Sequence, residues 1–85
     1  MPPPGVGAAM TRATMIFLGR FVPGTFAEFV RHRAARLSIE AVPRRLDGER
    51  VEVEVIGEPD LVDMFEMACS LGPIDCLVRA VERRG

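Results

Sequence analysis

A strict alternation of valine and glutamate in the second half of the chain constrains the fold more than any other feature of the sequence. Residues 50–56 read RVEVEVI, so that Val51, Val53 and Val55 are separated by single glutamates. Successive side chains of a β-strand point to opposite faces of the sheet. The segment therefore predicts a strand with one apolar and one charged face, within a sheet that is buried on one side and open on the other.

Two other segments carry apolar residues at the three- and four-residue spacing of amphipathic helices. The first covers residues 25–37 and opens with Thr-x-x-Glu, the form of a capping box between Thr25 and Glu28. Arg33 falls within its apolar stripe, so its stem is expected to lie along that stripe. The second helix is predicted over residues 59–71, because a Gly-Pro pair follows and cannot continue a helix.

Three further short segments predict strands. Residues 12–18 and 75–82 are rich in apolar and β-branched side chains, and residues 39–45 precede the alternating strand. Pro43 has no N–H to donate, so this strand is expected at an edge of the sheet. An Asp-Gly pair at Asp47 predicts a tight hairpin turn after it.

The order of these elements is β-α-β-β-α-β. Right-handed crossovers place both helices on one face of a four-stranded antiparallel sheet, which is the ferredoxin-like arrangement of the α+β class. This fold serves many unrelated functions, so it does not by itself define a chemistry.

Length and charge exclude several classes of protein. The 85 residues suffice for one small domain, and a formal net charge of −1 gives no general attraction to nucleic acids or membranes. No apolar run approaches the roughly 20 residues that span a bilayer. Residues 1–10, rich in proline, glycine and alanine and without a secretion-signal pattern, predict a disordered leader before a domain at residues 11–85. Met10 is an alternative start to Met1, and the expected location is the cytoplasm.

The sequence offers few candidate ligands for a metal or a cofactor. Cys69, Cys76 and the single histidine, His32, do not have the paired short spacings of zinc sites. We therefore expect no metal, no cofactor and two reduced, mostly buried thiols. A disulfide between the two cysteines is the alternative.

The first loop carries the residues of a specific family resemblance. Acylphosphatases have Gly-Arg-Val-Gln-Gly-Val-x-Phe-Arg at this place, and residues 19–27 here read GRFVPGTFA. Without a gap, residues 34–39 (AARLSI) then stand where the family has Ala-x-x-Leu-Gly-Leu. Residues 72–81 contain the Gly-Pro and the two valines of the family's closing segment. The chain thus resembles an acylphosphatase from about residue 11 to residue 82.

The resemblance implies a phosphate-binding loop whose backbone N–H groups cradle a phosphoryl group. The equivalent positions are Arg20, Phe21, Val22, Pro23, Gly24, Thr25 and Phe26. In the family an arginine after this loop clamps the phosphate, and an asparagine on the second strand orients the attacking water. Those catalytic positions are Ala27, which has no donor, and Arg45, which has no acceptor for a water. Pro23 also removes one N–H from the cradle.

These substitutions predict an acylphosphatase-like domain with a degenerate catalytic site, which acts as a binding or interaction module for a small acyl phosphate, another anion or a protein. The alternative is an active acylphosphatase that cleaves the carboxyl-phosphate bond, with an anion clamp rearranged onto Arg20, Arg44 and Arg45. Those arginines also fit a solvated loop and strand end. RNA binding is not expected, because Glu52 and Glu54 repel phosphates and the chain has no Trp or Tyr.

Overall fold

The computed structural model describes residues 10–85 and contains the predicted elements in the predicted order. They are β1 (Thr11–Arg20), α1 (Pro23–Arg36), β2 (Glu40–Leu46), β3 (Arg50–Gly57), α2 (Pro59–Leu71) and β4 (Leu77–Arg84). The strands form one antiparallel sheet in the order β2-β3-β1-β4, which confirms the ferredoxin-like fold class. Apart from Met10, the predicted leader lies outside the described residues. Neither helix of residues 10–85 has the length and apolar content needed to cross a bilayer.

The core forms where the two central strands meet the helices. Val51, Val53 and Val55 of β3 are fully buried, and each lies opposite a buried residue of β1. Phe26 of α1 adds an aromatic contact, with its ring centroid 5.5 Å from that of Phe17 in an edge-to-face arrangement. From α2 come Val62, Phe65 and Cys69. A buried side chain of this size stabilises the fold by about 1.5–3 kcal/mol, so the alternation in β3 determines which face of the sheet carries the helices.

The predicted edge strand and its hairpin turn are both present. β2 lies at the edge of the sheet, as Pro43 requires, and its register against β3 shifts between Pro43 and Arg45. In the turn, Asp47 Oδ1 accepts hydrogen bonds from the backbone N–H groups of Glu49 (3.0 Å) and Arg50 (2.7 Å). These bonds lower the pKa of Asp47, with a further contribution from the Arg45 guanidinium. The Asp-Gly pair therefore fixes the hairpin through the aspartate side chain.

The first helix begins earlier than predicted, and the predicted capping box is wrong. Val22 is the residue before the helix, no side chain caps it, and Pro23 occupies the first turn. Proline suits that position because its φ is already helical and its missing N–H would have no partner there. Thr25 is consequently inside the first turn, where it is exposed and cannot act as the cap. The predicted loop at residues 19–24 shortens to Phe21 and Val22, since β1 continues to Arg20.

The open face of the sheet carries paired charges. Glu54 accepts a hydrogen bond from Arg44 (2.7 Å) and lies 3.9 Å from Arg12, while Glu52 is bonded to Arg50 at 2.7 Å. The Arg44 contact lowers the pKa of Glu54. Each glutamate of β3 thus has an arginine partner, so this face is of mixed charge and repels phosphate less than the sequence alone implied.

Candidate functional site

The candidate phosphate loop lies where β1 passes into α1, beside the β2–β3 turn. The backbone N–H of Gly19 donates to Glu49 O (3.1 Å), and that of Phe21 donates to Gly48 O (2.8 Å). Phe21 is buried and its ring centroid lies 4.7 Å from that of Phe26. The first part of the loop is therefore held as an extension of the sheet.

Most backbone donors of this loop are used within the protein. The Phe21 N–H is bound to Gly48, the Val22 N–H donates to the Cys76 sulfur at 3.4 Å, and Pro23 has no N–H. The Phe26 N–H closes the first helical bond, to Val22 O at 2.9 Å. A cradle for a phosphoryl group needs several convergent free donors. Only the N–H groups of the first helical turn are left for a ligand in this part of the loop.

Ala27 and Arg45, the two positions that the family resemblance predicts to be catalytic, have side chains without the expected functional groups. Ala27 lies in α1, and its side chain is a methyl group that is 8% exposed. Arg45 lies on β2, is exposed, and its Nε donates to Asp47 Oδ2 at 2.8 Å. A donor-only side chain that already binds a carboxylate cannot orient an attacking water.

Two of the three arginines of the alternative clamp are bound to carboxylates of the protein. Arg44 is bonded to Glu54 and Arg45 to Asp47, so both guanidinium groups are turned toward carboxylates of the β2–β3 hairpin. Arg20 is exposed at the end of β1 and has no ion pair within residues 10–85. These arginines are also absent from the lining of the large surface groove described next.

A large groove runs along α1. Its volume is about 850 Å³, and its lining includes Phe29, His32, Arg33 and Arg36. The guanidinium carbon of Arg33 lies 4.8 Å from the centroid of the Phe29 ring, a cation–π arrangement. The basic run RHRAAR at residues 31–36 was the available sequence signal. Helical periodicity alone assigns only Arg33 of this run to the apolar stripe, so it does not predict a basic groove.

Both cysteines are unpaired in the structure, and their environments differ. Cys69 is buried in the core, and desolvation raises the pKa of its thiol to about 12. Cys76 is half-buried beside Val22; burial raises its pKa as well, although the Val22 N–H acts in the opposite direction. Residues 10–85 contain no cluster of three or more His, Cys, Asp or Glu side chains able to hold a metal ion.

We expect the two thiols to differ in their reaction with iodoacetamide. The thiolate is the reactive form, so at pH 8 the native protein should be alkylated slowly at Cys76 and not at Cys69. In urea both should react, since unfolding removes the desolvation. Peptide mass spectrometry after timed quenching measures both rates. Equal rates in the native protein, or an intact mass two hydrogens low without reductant, would contradict this assignment.

Comparison with known proteins finds similar folds at low sequence identity. No protein-family model matches the chain, and neither does any curated protein sequence. Among solved structures, an acylphosphatase from Coxiella burnetii superposes with a TM-score of 0.84 at 22% identity, covering 96% of this chain and 86% of that one. An acylphosphatase from Bacillus subtilis gives a TM-score of 0.77, also at 22% identity, over 87% and 81% of the two chains.

At this level of identity the comparison defines the fold alone. The chain has an acylphosphatase-like fold, as the residue pattern of the first loop had indicated.

Proposed function

We propose that this chain is an acylphosphatase-like domain with a degenerate catalytic site, which works as a binding or interaction module. One observation supports the proposal above the others: the protein itself uses several of the backbone donors of the candidate loop. Phe21 and Val22 donate to Gly48 and Cys76, and Pro23 donates nothing. The loop thus stabilises the fold where an active loop would bind a phosphate.

The magnitudes favour an inactive site. Losing one preorganised donor costs about 10²–10³ in rate, and losing a phosphate-clamping arginine costs about 10³–10⁵. The contributions of cooperating groups do not multiply. Even so, a site with Ala27 and Arg45 at these positions is left close to the uncatalysed rate.

An active site with a rearranged clamp is the second candidate, because Arg20 is exposed and free to turn. The surface ion pairs of Arg44 and Arg45 are worth no more than about 1 kcal/mol each, so a tightly bound anion is able to displace them. What this arrangement lacks is an acceptor that orients the attacking water. A rearranged arginine clamp is therefore expected to bind an anion but to hydrolyse an acyl phosphate poorly.

Hydrolysis of benzoyl phosphate by the purified domain tests the proposal. We expect the rate to match the buffer blank, while an intact acylphosphatase such as that of Bacillus subtilis turns the substrate over under the same conditions. Turnover that is lost on Arg20→Gln would establish the rearranged clamp. The matched control is Arg31→Gln, which removes an exposed arginine of α1 outside the candidate loop.

A further inference from the structure

The outer side of α2 carries a ridge of exposed apolar side chains. Met64, Met67 and Leu71 follow one another at three- and four-residue spacing and are 53%, 70% and 82% exposed. Residues at this spacing lie on one face of a helix. Contiguous exposed apolar surface on a small domain marks a site of interaction, and methionine is common at surfaces that adapt to a partner.

Beside this ridge lies a basic cleft. The groove along α1 shares Arg33 and Arg36 with a smaller cavity of about 150 Å³ that is also lined by Met64 and Ala68. The two are therefore neighbours, and we call them together the α1–α2 groove. It has arginines on one wall and methionine on the other. The Nε atom of Arg33 is buried and has no hydrogen-bond acceptor among the described residues.

The charge on this side of the molecule differs from that of the rest. Helix α1 contains three arginines and one glutamate, a formal charge of +2, while the whole chain carries −1 and its remainder therefore −3. Two of the three carboxylates of α2 are paired away from the groove. Asp63 and Glu66 are bonded instead to Arg83 of β4, at 2.8 and 3.1 Å, on the other flank of the helix.

We infer that the α1–α2 groove binds an acidic amphipathic segment of another protein. Apolar side chains of the segment would pack on Met64, Met67 and Ala68, and its carboxylates would pair with Arg33 and Arg36. This is the helix-in-groove mode of recognition, with charge complementarity adding specificity. The inference rests on the proposed role as an interaction module and names its surface and the chemistry of its partner.

Two other occupants fit the groove less well. A second copy that met the groove through its own groove would bring arginines against arginines, which opposes association. Residues 1–9 of the same chain contain no Asp or Glu, so they cannot neutralise the arginine wall. An acidic amphipathic segment can pair with the arginines of one wall and pack against the methionine of the other.

Three synthetic peptides of about 15 residues, long enough to form a helix, test the inference. The first has leucines at helical spacing with glutamates between them, the second has lysines in place of the glutamates, and the third has serines in place of the leucines. Binding to the full chain is measured by fluorescence anisotropy, and the contact surface by amide chemical-shift changes. We expect only the first peptide to bind, with shifts concentrated in α1 and α2 and affinity falling as salt is raised.

Paired variants locate the two walls of the groove. Arg33→Gln with Arg36→Gln, and separately Met64→Ser with Met67→Ser, should each weaken binding about tenfold or more. Arg84→Gln is the matched control: it removes an exposed arginine of β4, and its effect should stay within about twofold, since it lies on the open face of the sheet. Circular dichroism and melting temperature verify that each variant is folded.

Several outcomes would overturn the inference. Equal binding of the lysine peptide would mean non-specific apolar adsorption, and failure of all three peptides would remove the groove as a peptide site. Affinity that rises on deletion of residues 1–9 would identify the leader as the occupant. A dimer in sedimentation that Met67→Ser dissociates would identify a second copy. The degenerate-site proposal has a separate readout, because benzoyl phosphate turnover would contradict it whatever the peptides do.

Discussion

A variant that combines Ala27→Arg, Arg45→Asn and Pro23→Gly is expected to hydrolyse benzoyl phosphate at least about 100-fold faster than the natural sequence. The first change returns a phosphate clamp to the position implied by the family resemblance. The second returns a side chain that accepts and donates, and so can hold a water. The third returns a backbone N–H to the loop.

Neither Ala27→Arg nor Arg45→Asn alone should suffice. A clamp without an aligned water, or the reverse, leaves the in-line geometry of phosphoryl transfer incomplete. Rescue should remain partial, because the Val22 N–H still donates to the Cys76 sulfur. Adding Cys76→Ala frees this donor and is expected to raise the rate further.

Matched controls separate rescue from a general effect of charge. Ala35→Arg adds an arginine to an exposed position of α1, and Arg44→Asn makes the neighbouring change on β2. Neither should raise turnover. A triple variant that is folded, as judged by its melting temperature, but inactive would mean that Ala27 and Arg45 are not the equivalents of the family's catalytic residues.

Gly19→Ala is expected to destabilise the domain by on the order of 4 kcal/mol, a large fraction of the total stability of a small domain. A Cβ at this position would collide with the Leu77 carbonyl oxygen and would lie 3.1 Å from the Arg79 nitrogen. Both are backbone atoms of β4, which cannot rotate away. The register of β1 against β4 shifts at this point, so relief would require the strands to separate.

Gly24→Ala provides the control for this substitution. No atom outside its neighbours lies within 4 Å of the added Cβ, and the residue is in the first turn of α1. We expect a gain of about 0.5–1 kcal/mol, because alanine loses less backbone entropy in a helix. Urea unfolding followed by circular dichroism measures both values. If Gly19→Ala unfolded within about 1 kcal/mol of the natural sequence, the close approach of β4 would be wrong.

Gly19 is also the first residue of the loop that resembles the acylphosphatase motif. A glycine is required at this position because the β4 backbone leaves no room for a Cβ. This reason is structural and does not depend on catalysis. A chain can therefore keep this glycine and lose the arginine and the asparagine. This separation is consistent with the proposed degenerate site, in which the loop is retained for a structural reason.

Local patterns in the sequence were enough to determine the architecture. Alternation in β3 defined the buried face, the missing N–H of Pro43 placed β2 at the edge, and Asp47 fixed the hairpin turn. The Gly-Pro pair at residues 72–73 likewise predicted the end of α2, whose last residue is Leu71. Each of these features depends on a repeat or on a side chain acting within a few residues.

Only the tertiary structure showed which groups the donors of the candidate site bind. The Val22 N–H meets a sulfur 54 positions further along the chain, and Arg44 and Arg45 find carboxylates through the register of a hairpin that carries a bulge. The start of α1 at Pro23, two residues before the expected capping box, places Thr25 where it cannot cap. Sequence periodicity reports which face of an element is apolar. It does not report which distant group will take a given donor, because that depends on the packing of the whole sheet.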